Sequence, residues 1–292
     1  MELRHISYLA AVAEHRNFTR AASALHVSQP TLSQQIKALE RTLKVQLLDR
    51  SGRTVRLTDA GASYLLYARR AQREMEAAQR AIHDVQDLTR GSLRLAMTPS
   101  FTSYLVGPLA EQFNARHPGI ALSIKEMSQD AMEAALAGND LDLGIAFAQT
   151  RSTDIAAQEL FAEELHLVMG ASHPRAGTLE QLTPEGWDAQ ALVLLSADFA
   201  TRTHIDEYFR ANGISPLISI EANSISAIVE IVSGGQLATV LPAAIAQHHP
   251  GLASTPLLPA IPQRTAALLR RNGAYQSAAA KAFTRMALEW RL

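Results

Sequence analysis

The sequence of 292 residues contains no cysteine, which excludes disulfide bonds, thiolate catalysis and cysteine-based zinc sites. It also lacks any apolar run close to the roughly 20 residues that a membrane-spanning helix needs. The charged residues Glu2, Arg4 and His5 open the chain, which is unlike a signal peptide. We therefore expect a soluble cytoplasmic protein with no membrane partner.

The signature motifs of common enzyme classes are missing as well. The chain has no G-x-S-x-G, no G-x-x-x-x-G-K-[ST], no H-E-x-x-H and no G-x-G-x-x-G. Its histidines lack metal-ligand spacing, and the carboxylate pair Glu163-Glu164 is adjacent rather than facing, which is wrong for acid–base work. We predict no catalytic residue, no metal site and no cofactor, although an α/β enzyme remains the rival interpretation.

Residues 18–43 predict two short helices joined by a tight turn at His26 and Val27. Ser28 is a good N-cap for the second helix, and Pro30 falls in its first turn, where the missing N–H costs nothing. Apolar residues repeat along one face of each helix: Phe18, Ala21, Ala22 and Leu25, then Leu32, Ile36, Leu39 and Leu43. This pattern is typical of a helix-turn-helix.

The face of the second helix opposite its apolar stripe carries no carboxylate. It presents Pro30, Ser33, Gln34, Lys37 and Arg41. Hydroxyl and amide groups can read base edges in a major groove, and cations can meet phosphates. The alternative is an ordinary helix pair with a solvated face.

Two short apolar runs, 45–48 and 54–57, flank Ser51-Gly52 and predict a β-hairpin. Arg50, Arg53 and Arg56 lie at its tip and flanks. A basic hairpin beside a groove-binding helix is typical of a wing that contacts the DNA backbone or minor groove. The alternative is a basic hairpin with no partner.

A long helix is predicted from Thr58, a good N-cap, to about Leu88. Its apolar residues repeat at spacings of four and three: Tyr64, Ala68, Ala71, Met75, Ala78, Ile82 and Val85. Such a seam needs a partner helix, so we predict a homodimer through this helix. Packing of the seam on the chain's own C-terminal part is the alternative.

Residues 90–292 alternate strand-like and helical stretches, which predicts α/β units with mainly parallel sheets. Two lobes fit better than one, with lobe 1 at about 90–162 plus 266–292 and lobe 2 at about 163–265. The predicted strands are 92–98, 120–127, 141–147, 164–170, 191–195, 217–222, 237–242 and 264–271. The expected domains are thus 1–58 for DNA binding, 59–89 for dimerisation and 90–292 for a ligand.

Charge is distributed unevenly between these parts. Residues 1–90 hold 14 Lys and Arg against 9 Asp and Glu, whereas residues 91–292 hold 13 against 19. A basic N-terminal part followed by an acidic C-terminal part is typical of a protein that contacts a polyanion at one end only.

The helix-turn-helix, the arginine wing and the long helix resemble the LysR-type transcriptional regulators. This resemblance implies a C-terminal two-lobed α/β domain of the periplasmic-binding-protein type that binds an effector. It also implies a homo-oligomer, commonly a tetramer, that binds promoter DNA, activates transcription with RNA polymerase and responds to a small coinducer. Two residues depart from the family pattern: Lys44 replaces a helix-ending glycine and Leu48 replaces a phenylalanine. The first costs about 1 kcal/mol in a left-handed cap.

Carried over residue by residue, the resemblance places Gln29, Pro30 and Ser33 against bases. The backbone and groove walls are then contacted by Thr31, Gln34, Lys37, Arg50, Arg53 and Arg56. Segments such as 81–104 and 264–283 are most similar to family members that regulate cyanate use, which implies cyanate as the coinducer. A regulator that responds to another metabolite is the alternative, followed by an enzyme with a DNA-binding head.

Helix N-termini that face a cleft between two lobes favour an anionic ligand, because their free N–H groups point into it. Hydroxyl and amide side chains open several such helices after predicted strands. We predict that the pocket is lined by Ser100, Thr102, Thr201 and Asn223, with Gln129 and Arg202 at its edge. The alternative is that these residues only cap their own helices.

Overall fold

The computed structural model describes residues 4–52, 54–84, 90–178 and 181–290. The chain divides into two compact units, Met1–His83 and Asp84–Leu292. Arg53 and Val85, which the sequence placed on the wing and on the helix seam, lie outside the described residues. The same is true of residues 86–89 at the end of the predicted long helix.

The first unit is a winged helix-turn-helix. Its helices are α1 (Arg4–His15), α2 (Phe18–Ala24) and α3 (Gln29–Leu43), and its wing is the antiparallel pair β1 (Leu48–Asp49) and β2 (Arg56–Leu57). Buried apolar residues from all these parts form one core, including Leu9, Ala21, Leu32, Ile36 and Leu47. The predicted helices and hairpin are confirmed.

The turn between α2 and α3 has the predicted chemistry. His26 adopts a left-handed φ of 55°, and Ser28 Oγ accepts a hydrogen bond from Thr31 N at 3.2 Å, as an N-cap should. At the other end of α3, Lys44 is left-handed with φ 56°. A lysine therefore occupies the position that usually favours glycine, as the resemblance to the LysR-type regulators implied.

The long helix α4 (Asp59–Asp84) begins where predicted, since Thr58 Oγ1 accepts from Gly61 N at 3.0 Å. It packs closely on the segment that leads into the wing. A Cβ on Gly61 would lie 2.0 Å from the carbonyl oxygen of Leu47, so only glycine permits this approach.

The start of the predicted seam on α4 faces the first unit's own core. Ala68 is buried there beside Leu65, and Tyr64 packs against the same cluster. Ala71, Met75 and Ala78 of the predicted seam are exposed, and Tyr67 is exposed one helical turn before Ala71. The exposed stripe therefore keeps the later residues of the predicted seam but begins at Tyr67, because Tyr64 and Ala68 in the first turns of the helix close the core.

The second unit contains two five-stranded sheets, each of which forms a lobe. The first sheet has the order β4-β3-β5-β12-β6, and the second has the order β11-β7-β10-β8-β9. The strands of the first are β3 (Gly91–Met97), β4 (Ile120–Glu126), β5 (Leu143–Phe147), β6 (Ile155–Glu163) and β12 (Arg264–Arg271). Those of the second are β7 (Leu165–Gly170), β8 (Ala191–Leu195), β9 (Leu217–Ala222), β10 (Ala238–Pro242) and β11 (Leu252–Thr255).

All eight predicted strands of this unit are present. Strands β6 and β11 were not predicted, and the sheets are less parallel than predicted. Strands β3, β4 and β5 are parallel to one another, and β8 is parallel to β9 and β10. However, β12 runs antiparallel to both β5 and β6, and β7 runs antiparallel to β10 and β11. The antiparallel strands border the two points where the chain crosses between the lobes.

Helices cover the sheets on both sides. They are α5 (Pro99–Thr102), α6 (Val106–Arg116), α7 (Gln129–Ala137), α8 (Ala200–Ala211), α9 (Ile225–Ser233), α10 (Ala243–His248) and α11 (Ala278–Glu289), with a 3₁₀ turn at Pro184–Ala189. The last helix returns to the first lobe as predicted, since the rings of Phe283 and Phe113 lie 5.3 Å apart. Among the described residues, no helix combines the length and apolarity that crossing a membrane requires.

Candidate functional site

Helix α3 presents a polar, solvent-exposed face opposite its buried stripe. Gln29, Pro30, Thr31, Gln34 and Lys37 are exposed, and Ser33 is half-buried. The opposite side of α3 is fixed in the core by Leu32, Ile36 and Leu39. The structure thus brings the six predicted DNA-facing residues of α3 together in one accessible surface.

Arg50 is held firmly at the base of the wing. Its Nη2 donates to Glu40 Oε2 at 2.8 Å, and its guanidinium lies 5.3 Å from the centre of the Phe18 ring. Glu40 Oε1 also accepts from the backbone N–H groups of Leu47 and Leu48 at 3.0 and 3.2 Å. Glu40 is therefore the residue that joins α3 to the wing, a role that its sequence position alone did not reveal.

Arg56 is exposed on β2, directly opposite Asp49 of β1. Both residues belong to the wing, which continues the accessible surface beyond α3. Two exposed cations of this unit, Lys37 and Arg56, therefore stand on two different elements, as the docking of a helix plus a wing requires.

In the second unit, the residues predicted for the first lobe's side of the cleft have different environments. Ser100 is buried, with 4% of its surface exposed. Thr102 Oγ1 hydrogen-bonds to the Pro99 carbonyl at 2.9 Å and to the carboxylate of Glu126. Thr102 is therefore already bonded to a carboxylate, which makes it less available to an anion than its hydroxyl alone would indicate.

Gln129 uses its side chain to fix the end of β5. Its amide nitrogen donates to the carbonyl groups of Phe147 and Gln149 at 3.1 and 2.8 Å, and its oxygen accepts from Phe147 N at 3.1 Å. These bonds hold α7 against the carboxyl end of β5. In this structure Gln129 has a structural role in addition to any contact with a ligand.

The three residues predicted for the second lobe also differ. Thr201, in the first turn of α8, is buried with 4% exposed. Arg202 donates to Asp206, Glu221 and the Leu195 carbonyl at 2.7 to 2.8 Å. Asn223 is exposed, and the N-cap of α9 is its neighbour Ser224. Arg202 is thus surrounded by two carboxylates, which leaves it poorly suited to attract an anion.

A buried ion pair lies where the chain crosses between the lobes. Glu163 ends β6 and is 3% exposed, and Arg264 begins β12 directly opposite it. Arg264 Nη2 donates to Glu163 Oε2 at 2.6 Å and to Thr201 Oγ1 at 3.2 Å. Tyr104 Oη donates to Glu163 Oε1 at 3.2 Å. This cluster connects a strand of the first lobe with helix α8 of the second.

Aromatic rings surround the ion pair on the first lobe's side. The Arg264 guanidinium lies 4.0 Å from the centre of the Phe147 ring, which is a cation–π contact. Phe101 packs against both Phe147 and Phe161, with ring centres 5.2 and 6.1 Å apart. The apolar wall keeps water from the pair and strengthens its electrostatic interactions.

Burial controls the ionisation of this cluster. It raises the pKa of Glu163, and the attraction of Arg264 together with the hydrogen bonds from Arg264 and Tyr104 only partly opposes that rise. Burial also lowers the pKa of Arg264, against the attraction of Glu163. The pKa of Tyr104 is raised by burial and by the neighbouring negative charge of Glu163. Burial thus disfavours the charged form of each of the three groups.

Sequence reasoning missed this cluster. Glu163 and Arg264 are separated by 101 positions, and Glu163-Glu164 was interpreted only as an adjacent carboxylate pair. The structure separates these two neighbours, since Glu163 is buried while Glu164 is exposed and accepts from Gln263 at 2.6 Å. The sequence offers one indication of the cluster: Glu163 and Arg264 lie beside the two positions where the chain is predicted to cross between the lobes.

Comparisons with known proteins agree with both units. Residues 3–62 match the bacterial regulatory helix-turn-helix protein family of the lysR type, and residues 86–291 match the LysR substrate binding domain. The nitrogen assimilation regulatory protein nac of Klebsiella aerogenes is 31% identical, over 87% of this chain and 82% of the relative. The hydrogen peroxide-inducible genes activator of Dickeya chrysanthemi is 30% identical, over 94% of this chain and 90% of the relative.

Solved structures resemble the whole chain. A single-residue variant of full-length OxyR from Pseudomonas aeruginosa has a TM-score of 0.71 and 25% identity, covering 98% of this chain and 93% of its own. Full-length CbnR in complex with its target DNA has a TM-score of 0.70 and 24% identity, covering 98% and 100%. The curated relatives are regulators rather than enzymes, which decides against the rival enzyme interpretation. The chain belongs to the LysR family of DNA-binding transcriptional regulators.

Proposed function

We propose that this LysR family member activates transcription from promoter DNA when a small anion, cyanate, occupies the cleft between its two lobes. DNA recognition is assigned to Gln29, Pro30 and Ser33 on bases, and to Thr31, Gln34, Lys37, Arg50, Arg53 and Arg56 on the backbone and groove walls. The observation that carries this assignment is the exposed, carboxylate-free face of α3 beside the wing.

The proposed protein is a cytoplasmic homo-oligomer with residues 1–58, 59–89 and 90–292 as its DNA-binding, dimerising and effector-binding parts. The exposed apolar stripe on α4 supports a dimer through that helix, since Tyr67 and Met75 are 66% and 55% exposed. A dimer supplies two copies of α3 for two half-sites, and pairing of dimers gives a tetramer. RNA polymerase is the proposed partner of the assembled complex.

An anionic coinducer is supported by the chemistry of the cleft. Ser100 and Thr201 bring buried hydroxyl-bearing residues from opposite lobes, and Arg264 adds a cation bonded to Thr201. Hydroxyl groups and an arginine suit a small monovalent anion better than an apolar metabolite. The choice of cyanate rests on the sequence resemblance, and a different small metabolite is the second candidate.

A footprint and mobility-shift titration on the DNA upstream of the protein's own gene tests this function, with and without cyanate. We expect protection of two neighbouring regions, with a pattern that cyanate changes. Protection that is indifferent to cyanate would keep the regulator and reject this coinducer.

Matched variants test the DNA-facing residues in the same assay. Lys37→Ala should weaken binding to all sequences and reduce the slope of log affinity against log salt by about one. Ser33→Ala should reduce discrimination between operator and unrelated DNA. Arg285→Ala, which removes an exposed cation from α11 in the other unit, is the control and should change neither quantity. An unchanged salt slope for Lys37→Ala would contradict its phosphate contact.

A further inference from the structure

The ion pair of Arg264 and Glu163 joins the two segments of the chain that cross between the lobes. Glu163 lies at the end of the outgoing strand β6, and Arg264 lies at the start of the returning strand β12. The pair is almost fully buried, since the side chains of Arg264 and Glu163 are 12% and 2% exposed. Arg264 also donates a hydrogen bond to Thr201 of the second lobe. A change in the hydrogen bonds of Arg264 therefore affects residues of both lobes.

The guanidinium of Arg264 still has donor capacity. Its Nη2 serves both Glu163 and Thr201, whereas its Nε is buried and makes no hydrogen bond to any residue within the described ranges. Buried donors in native proteins are normally satisfied, so an unpaired one between the two lobes indicates a candidate position for a ligand. Arg202 differs, because two carboxylates and a carbonyl already engage it.

We propose that Arg264 is the group that binds the small anion in the cleft, and that Glu163 takes up one proton when the anion binds. This proposal rests on the proposed function, which places an anionic coinducer in the same cleft. The anion accepts hydrogen bonds from the guanidinium, and the proton passes from solvent to a carboxylate oxygen of Glu163. The bond between this proton and its donor, a hydronium ion or a buffer acid, breaks as the O–H bond of Glu163 forms, and no other covalent bond changes.

Charge balance requires the proton. The free pair of Arg264 and Glu163 is neutral, and an added anion would leave one uncompensated negative charge in a buried site, which is costly. Protonation of Glu163 restores neutrality and leaves Arg264 as the counter-ion of the ligand. Burial already raises the pKa of Glu163, so an anion that draws Arg264 away raises that pKa further.

Other titratable groups near Glu163 lie on helices α8 and α10 and on the segment between α5 and α6. Tyr104, between α5 and α6, donates to its carboxylate. His204 of α8 is held by the Pro262 carbonyl at 2.7 Å and contributes a weak attraction to Glu163. His248 of α10 lies with its ring 6.3 Å from that of Tyr104. None of the three replaces Arg264 as a direct ionic partner of Glu163 among the described residues.

Calorimetric titration of the full chain with sodium cyanate at about pH 7.5 tests the proposal, in two buffers that differ in ionisation enthalpy. We expect the binding enthalpies measured in the two buffers to differ. The size of the difference should correspond to the uptake of up to about one proton per bound anion. The affinity should accordingly rise as the pH falls, by up to about tenfold per pH unit. Thermal-shift titrations with cyanate, nitrate and sulfate add an independent measure of anion binding.

Three variants test the roles of Glu163 and Arg264 separately. Glu163→Gln imitates the protonated carboxyl group, so it should bind the anion more tightly than the wild type and without proton uptake. The double variant Glu163→Gln/Arg264→Gln keeps the site neutral and should weaken anion binding by at least about tenfold. Arg94→Gln removes another paired arginine, bound to Asp142 at 2.7 Å, and should change nothing in the binding.

The outcomes distinguish this inference from the proposed function. If the wild type and the double variant bind cyanate equally well, the role of Arg264 is overturned while the coinducer proposal stands. Binding without proton uptake in the wild type overturns the role of Glu163. If none of the three anions shifts the thermal transition of the wild type, both the anionic coinducer and the site at Arg264 are rejected.

Discussion

The carboxylate of Glu40 on α3 and the guanidinium of Arg50 at the wing lie 2.8 Å apart. The same carboxylate accepts the backbone N–H groups of Leu47 and Leu48. One side chain therefore fixes the angle between the helix and the wing, the two elements proposed to contact DNA. The wing is thus held by Glu40 as well as by the pairing of its own two-residue strands.

Replacement of Glu40 by Gln should destabilise the first unit by about 1–3 kcal/mol, because Arg50 loses its ionic partner and the backbone N–H groups lose a charged acceptor. Thermal unfolding measures this loss, and the mobility shift should report weaker DNA binding. Glu14→Gln removes the same charge from an exposed site on α1 and serves as the control. Equal effects of both variants would show that only net charge matters.

Replacement of Lys44 by Gly should stabilise the first unit by up to about 1 kcal/mol, because glycine adopts the observed φ of 56° without a steric penalty. Lys44→Ala removes the same charge but keeps the Cβ atom, so it should give no such gain. Chemical denaturation of both variants measures the difference. A gain for alanine as large as that for glycine would assign the effect to charge rather than to backbone strain.

Replacement of Met75 by Glu should dissociate the proposed dimer, because it places a charge in the exposed apolar stripe of α4. Sedimentation velocity should then show at least a tenfold weaker self-association, on the order of a 1.4 kcal/mol loss. Arg69→Glu, an exposed site outside the stripe, is the control. An unchanged oligomeric state of the Met75 variant would place the interface elsewhere.

The helix-turn-helix was predictable because its signals are local. Ser28 as an N-cap, Pro30 in the first turn and the left-handed Lys44 each act within a few residues, so the sequence order carries them. The α4 seam was predicted less well. Periodicity alone does not say which turns of a helix face the chain's own core and which remain exposed.

In the second unit, the strands were predictable because buried parallel strands form continuous apolar runs. Strand β6 escaped prediction because its mixed exposure resembles a loop or an amphipathic segment, and only its pairing with β12 makes it a strand. A position near a helix start does not decide the environment of a side chain: Ser100 and Thr201 are buried. Arg202 lies near the start of the same helix as Thr201, but Asp206 and Glu221 neutralise it.

Local patterns in the chain encode the winged helix-turn-helix, the polar face of α3, the long helix and the two-lobed α/β unit. These features follow from caps, turn residues and periodicity, which are interactions between near neighbours in the chain. Three features arise only on folding: Glu40 holds the wing, the exposed stripe of α4 begins at Tyr67, and Glu163 pairs with Arg264 between the lobes. Each of these depends on residues that are distant in sequence or on competition for one buried surface, and local patterns do not encode such contacts.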